Sequence, residues 1–90
     1  MPQVVEKIKI INKLGLHARP AALLVQEASK FSSVIELEYD GTRVNGKSIM
    51  GVMMLAAACG SELTVFAEGE DADETISAIR ALIDRKFDED

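Results

Sequence analysis

The 90-residue chain has no tryptophan, one cysteine, one histidine and two prolines, and aromatic residues make up only 4% of it. With so few aromatics, any core must be built from Ile, Leu, Val, Met and Ala. The lone Cys59 excludes an internal disulfide and suits a reducing compartment. It reads as a small buried apolar residue without a chemical role. One histidine and one distant cysteine show no ligand spacing, so neither a metal site nor a cofactor is expected. Long apolar runs are missing too. The longest nearly apolar stretch, Ile49–Cys59, is eleven residues, too short to cross a bilayer. Met1–Lys13 alternates charged and apolar residues and builds no signal-peptide core. The net charge of −5 lacks the basic footprint of a nucleic-acid binder. These absences point to a cytoplasmic protein that neither inserts into membranes nor binds nucleic acid.

What is present is a globular composition, 48% apolar and 28% charged, in a length that supports one domain spanning residues 1–90. The charge is unevenly placed. Residues 1–45 carry six Lys/Arg against five Asp/Glu, and residues 46–90 carry four against ten. The histidine, His17, lies in the slightly basic half with Lys13 and Arg19 beside it.

Hydrophobic periodicity gives the element order. Alternation from about Val5 to Ile11 predicts a strand, broken at Asn12–Gly15. Pro20 sits where a helix can start, and Ala21, Leu24, Val25, Ala28 and Phe31 follow at helical spacing. Ser32-Ser33 ends it. Ile35, Leu37 and Tyr39 alternate with Glu36 and Glu38, Asp40-Gly41 is a favoured type I′ hairpin turn, and Thr42–Asn45 returns. Ser48 is an N-cap candidate for a short apolar helix from Ile49 to Leu55. Gly60-Ser61 breaks, and Leu63, Val65 and Ala67 mark a fourth strand. Asp71 and Glu74 form a capping-box-like start to a last helix with Ile76, Ile79, Leu82 and Ile83 buried and Phe87 extending the stripe. The order β-α-β-β-α-β-α predicts an α+β domain, an antiparallel sheet with helices on one face.

His17 stands at the junction of strand and helix, two residues after Gly15 and three before Pro20. The first N–H groups of a helix lack internal partners and carry partial positive charge, so they suit a phosphate. A phosphoryl group on His17 could accept bonds from the backbone of Ala18 and Arg19, with the Arg19 guanidinium nearby. An imidazole is nucleophilic when neutral, as an ordinary one mostly is in a cytoplasm. Taken alone, a histidine ahead of a helix is more often a surface or capping residue, and Arg19 a solvated charge.

Two segments change that weighing. Asn12-Lys13-Leu14-Gly15-Leu16-His17-Ala18-Arg19-Pro20-Ala21 resembles the active-site segment of the HPr family, the histidine-containing phosphocarriers of the bacterial phosphotransferase system. Val44–Met53 resembles that family's regulatory serine segment. The resemblance covers nearly the whole chain and implies an open-faced β-sandwich with three helices over a four-stranded sheet. It implies that His17 takes phosphate through Nδ1 from phospho-enzyme I, itself charged by phosphoenolpyruvate, and donates it to enzyme IIA proteins. Arg19 would stabilise the phosphoryl group. The protein would be a monomeric carrier with a phosphohistidine intermediate rather than an enzyme.

The same resemblance makes Ser48 a regulatory phosphorylation site for an HPr kinase/phosphorylase, serving carbon catabolite regulation, where the residues alone indicate only a cap. It also makes Leu16, Lys47, Ile49, Met50 and Met53 the partner-binding surface. From the residues, about half of the short helix's apolar side chains must stay exposed, and methionine adapts to several partners. The tail Phe87-Asp88-Glu89-Asp90 resembles instead the nitrogen-related branch of the family and reads as a frayed acidic end. Two other readings compete with a sugar-branch carrier. One is an interaction protein acting mainly through phospho-Ser48. The other is a small acylphosphatase-like enzyme, for which the chain offers no Gly-rich phosphate cradle opening a helix.

Overall fold

A computed structural model describes residues 2–89. The elements run β1 (Gln3–Lys9), α1 (Ala18–Ala28), β2 (Val34–Tyr39), β3 (Thr42–Asn45), α2 (Ile49–Met54), β4 (Glu62–Glu68) and α3 (Ala72–Asp84). The strands form one antiparallel sheet in the order β1-β4-β2-β3. The α+β architecture and the order of elements are those the periodicity predicts.

The register explains which side chains are covered. Ile8 of β1 stands opposite Leu63, and Leu37 of β2 opposite Val65 and Val44. Ile8, Ile35, Leu37, Leu63, Val65 and Ala67 all lie on the face that the helices cover. The helices contribute Ala21, Leu24, Val25 and Ala28 from α1, Val52 from α2, and Ile76, Ile79, Leu82 and Ile83 from α3. At roughly 25 cal/mol per Å² of apolar area removed from water, this aliphatic core is the dominant favourable term. The other face stays open. There Arg43 reaches back to Glu36 at 2.8 Å and lies 3.7 Å above the centre of the Phe66 ring. The hairpin at Asp40-Gly41 has φ of +53° and +82°, the two left-handed residues that a type I′ turn requires.

Several boundaries and one cap differ from expectation. β1 ends at Lys9, and Ile10 continues beyond it by bonding Gly60 and Ser61 rather than extending the ladder. α1 starts at Ala18 with His17 as N-cap, so Pro20 is its third residue, where a missing N–H also costs nothing. The helix stops at Ala28, and Phe31 lies beyond it. Asp71 occupies the N-cap position of α3, but its carboxylate does not cap the helix. It accepts instead from the backbone N–H groups of Ser32 and Ser33, at 2.9 and 3.0 Å, and from both serine hydroxyls. The Ser33 hydroxyl, then the Ser32 amide, outweigh partial burial and hold the Asp71 carboxyl at about 2, below its ordinary 3.8. Asp71 therefore ties the loop after α1 to the start of α3. Cys59 is exposed, not buried, because it lies in the loop between Leu55 and β4 rather than on an inward strand position.

Phe87, Asp88 and Glu89 of the acidic end are not frayed, and Asp90 lies outside the described residues. After α3, Lys86, Phe87 and Asp88 make a tight turn with φ of +57°, +54° and +59°. Each left-handed non-glycine residue costs on the order of 1–2 kcal/mol. Opposing that cost, Phe87 is fully buried, and the turn is closed by Asp88 N to Arg85 O at 3.0 Å and Glu89 N to Lys86 O at 2.9 Å. The turn directs Glu89 back toward the start of α1.

Candidate functional site

The segment between β1 and α1 is fixed by a short set of backbone bonds. Gly15 N–H donates to Asn12 O, His17 N–H to Gly15 O, and Leu16 N–H to Ala57 O, at 3.2, 2.9 and 2.9 Å. Gly15 has φ of +70°, and a Cβ there would sit 2.4 Å from Ala57 O and 2.8 Å from Ala58 Cα. Only glycine fits a left-handed turn pressed this closely against the loop after α2. The fully buried Asn12 adds a side-chain bond, its Nδ2 donating to Gly15 O at 2.8 Å.

His17 leaves this turn with an extended backbone and starts the helix. Its carbonyl accepts from Ala21 N–H at 3.0 Å, the first bond of α1. The N–H groups of Ala18 and Arg19 precede that bond and have no protein acceptor among the described residues, and Pro20 has no N–H. Two free donors at the positive end of a helix thus flank the imidazole, which is 37% exposed. The Arg19 side chain is exposed and makes no ion pair among the described residues.

Among the described residues the imidazole has one side-chain partner. Its Nε2 lies 3.0 Å from Oε2 and 3.3 Å from Oε1 of Glu89, and Asn12 Nδ2 also donates to that Oε1 at 3.0 Å. Nδ1 has no hydrogen-bond partner among the described residues. Beside the ring lies an open, mainly apolar cleft of about 360 Å³ between Leu14, Leu16, Ala18, Met53 and Ala56–Ala58.

The remaining site residues read from the sequence divide into three groups. Ile49, Met50 and Met53 are exposed at 44%, 76% and 43%, joined by Met54 and by Leu14, and Met53 reaches the cleft beside His17. Ser48 caps α2, its Oγ accepting from Gly51 N–H at 3.1 Å, as its position before an apolar run suggested. Leu16 and Lys47 fit the expected partner surface less well. Leu16 is buried, because its backbone bond to Ala57 turns the side chain into the core. Lys47 is half-buried, its ammonium donating to Phe31 O at 2.8 Å beyond the end of α1. Sequence reasoning missed Asn12 and Glu89. The side-chain bond from Asn12 to Gly15 O spans three residues and had a local signal, but Glu89 is 72 residues from His17.

Residues 4–85 match the family model described as PTS HPr component phosphorylation site. The chain is 54% identical over 87 residues to the phosphocarrier protein HPr of Treponema pallidum (strain Nichols), covering 97% of this chain and 99% of that one. It superposes on the crystal structure of HPr-C-His from Thermoanaerobacter tengcongensis with a TM-score of 0.90 and 53% identity, covering 100% of this chain and 99% of the other. A crystal structure of an HPr dimer from the same organism gives a TM-score of 0.78 at 56% identity, over 91% of this chain and 94% of that one.

Proposed function

The chain belongs to the HPr family, and from that premise we propose that it carries its phosphoryl group on His17, through Nδ1, in one domain spanning residues 1–90. It is a phosphocarrier of the phosphotransferase system, and family membership implies enzyme I and enzyme IIA proteins as its partners. One observation supports His17 above all: the ring stands at the start of α1 beside the amides of Ala18 and Arg19, which have no acceptor among the described residues. Those donors offer the transferring group oriented positive charge that needs no rearrangement during reaction, and the exposed Arg19 guanidinium two residues on can swing onto the phosphoryl oxygens. Ser, Asp or metal chemistry is not required, since the ring nitrogen is itself the nucleophile and the phosphoramidate keeps the group reactive.

The protein is a relay rather than a catalyst, so each partner must reach His17 in turn. The exposed Ile49, Met50, Met53 and Met54 next to the cleft give such partners an adaptable apolar surface. Ser48 lies at the edge of that surface, and phosphate there, added by an HPr kinase/phosphorylase, would place negative charge where partners meet apolar side chains. We assign the working form as a cytoplasmic monomer, to be checked by its mass in solution against the dimer seen for the Thermoanaerobacter tengcongensis relative. Among the described residues no helix is long and apolar enough to cross a membrane.

Incubation with phosphoenolpyruvate and enzyme I tests the carrier reading. An acid-labile phosphate should appear on the intact protein by mass spectrometry and be lost in His17→Ala. Absence of label on the wild type, or label that persists in the variant, refutes it.

A further inference from the structure

The carrier reading leaves Glu89 without a role, although it is the only side chain bonded to the reactive ring among the described residues. Its placement has several supports. The left-handed turn at Lys86–Asp88 reverses the chain, the buried Phe87 anchors that turn, and Asn12 Nδ2 holds the carboxylate by Oε1. Asn12 is itself fully buried and bonded to Gly15 O, so the carboxylate is tied to the same turn that positions His17.

We infer that Glu89 is a positioning residue for phosphoryl transfer, fixing His17 in the tautomer that leaves Nδ1 free to attack. An ionised carboxylate only accepts hydrogen bonds, so the nitrogen facing it must carry the proton. That nitrogen is Nε2. In the neutral ring the lone pair is then at Nδ1, which has no other partner among the described residues. This is how a bond at one ring nitrogen decides the chemistry of the other. In the transfer, the Nδ1 lone pair forms the N–P bond as the donor's bond to phosphorus breaks, its electron pair staying on the donor. The Nε2 proton remains in place, shared with Glu89, and no base is needed. The positive charge that the ring acquires is met by the carboxylate. On transfer to an acceptor the same steps run in reverse.

The inference rests on the carrier reading, so its test has one readout that needs no phosphoryl donor. Long-range ¹H–¹⁵N spectra of the full-length, unphosphorylated protein, recorded about one and a half units above the ordinary histidine pKa, report the ring tautomer. The wild type should show the Nε2–H form. Glu89→Gln should lose that preference, because Asn12 Nδ2 donates to the oxygen at the Oε1 position and leaves the amide NH2 facing Nε2. Glu89→Ala should admit the Nδ1–H form. Phosphorylation by phospho-enzyme I should slow by about threefold to tenfold in both Glu89→Ala and Glu89→Gln, the factor expected for one ordinary hydrogen bond. An Nδ1–H ring in the wild type, an Ala variant with an unchanged ring spectrum, or an Ala variant phosphorylated as fast as or faster than wild type overturns the inference. Failure of the carrier reading looks different: the wild type takes no label while its ring spectrum still responds to residue 89, and the role assigned to Glu89 falls with the reaction it serves.

Discussion

Replacing Gly15 by alanine adds one methyl group where the structure has no room for it. The new Cβ would lie 2.4 Å from Ala57 O, so that carbonyl or the turn has to move by roughly 1 Å to restore contact distance. Ala57 O is the acceptor for Leu16 N–H at 2.9 Å, so the movement stretches the bond that joins the His17 turn to the loop after α2. A lost bond of this kind costs about 1 kcal/mol, and an alanine at φ of +70° about 1–2 kcal/mol more. The expected loss is about 2–3 kcal/mol, or roughly 8–24 °C in Tm for a domain of this size. Gly41→Ala is the control. Gly41 also has positive φ, +82°, but nothing among the described residues lies within 4 Å of its Cβ position, so only the backbone cost of about 1–2 kcal/mol applies. Urea unfolding of both variants and the wild type, at equal m-value, measures the difference. If the two variants lose the same stability to within about 0.5 kcal/mol, the close approach of Gly15 to Ala57 is not what holds the turn, and the account of how His17 is positioned is wrong.

Two other outcomes follow from local geometry. Ser48→Ala should destabilise by about 1 kcal/mol in urea unfolding because Gly51 N–H loses its acceptor, whereas Ser48→Asp should recover most of that, a carboxylate being an equally good cap. Asp71 makes stability depend on acid: its folded pKa of about 2 is below its ordinary 3.8, so its contribution is complete above about pH 4 and is lost as pH falls toward 2. Urea midpoints measured across that range should fall more steeply for wild type than for Asp71→Asn, and parallel curves would remove Asp71 from the acid response.

The element order was legible because each signal was local. Alternation at Ile8 and Ile10, at Ile35, Leu37 and Tyr39, and at Leu63, Val65 and Ala67 reports a sheet with one covered face, and the hairpin at Asp40-Gly41 follows from the two residues that tolerate positive φ. The Ser48 cap was legible for the same reason, since donor and acceptor are three residues apart. Asp71 was misread because the same carboxylate can serve a helix start or a remote loop. Its sequence neighbours favour the first, and Ser32 and Ser33, 39 and 38 residues away, provide the second. The burial of Leu16 and the half-burial of Lys47 were likewise beyond local signals, set by a backbone bond to Ala57 and a side-chain bond to Phe31.

By itself the sequence determined the fold class, the junction at which His17 stands and the glycine, arginine and proline around it. These depend on periodicity and on conformational preferences that act within a few residues. Only the tertiary structure decided what meets the imidazole. A left-handed turn of three non-glycine residues has no local preference behind it and persists because Phe87 finds a place in the core. Burial is settled by the whole fold, and so is the carboxylate that it delivers to His17 from the far end of the chain.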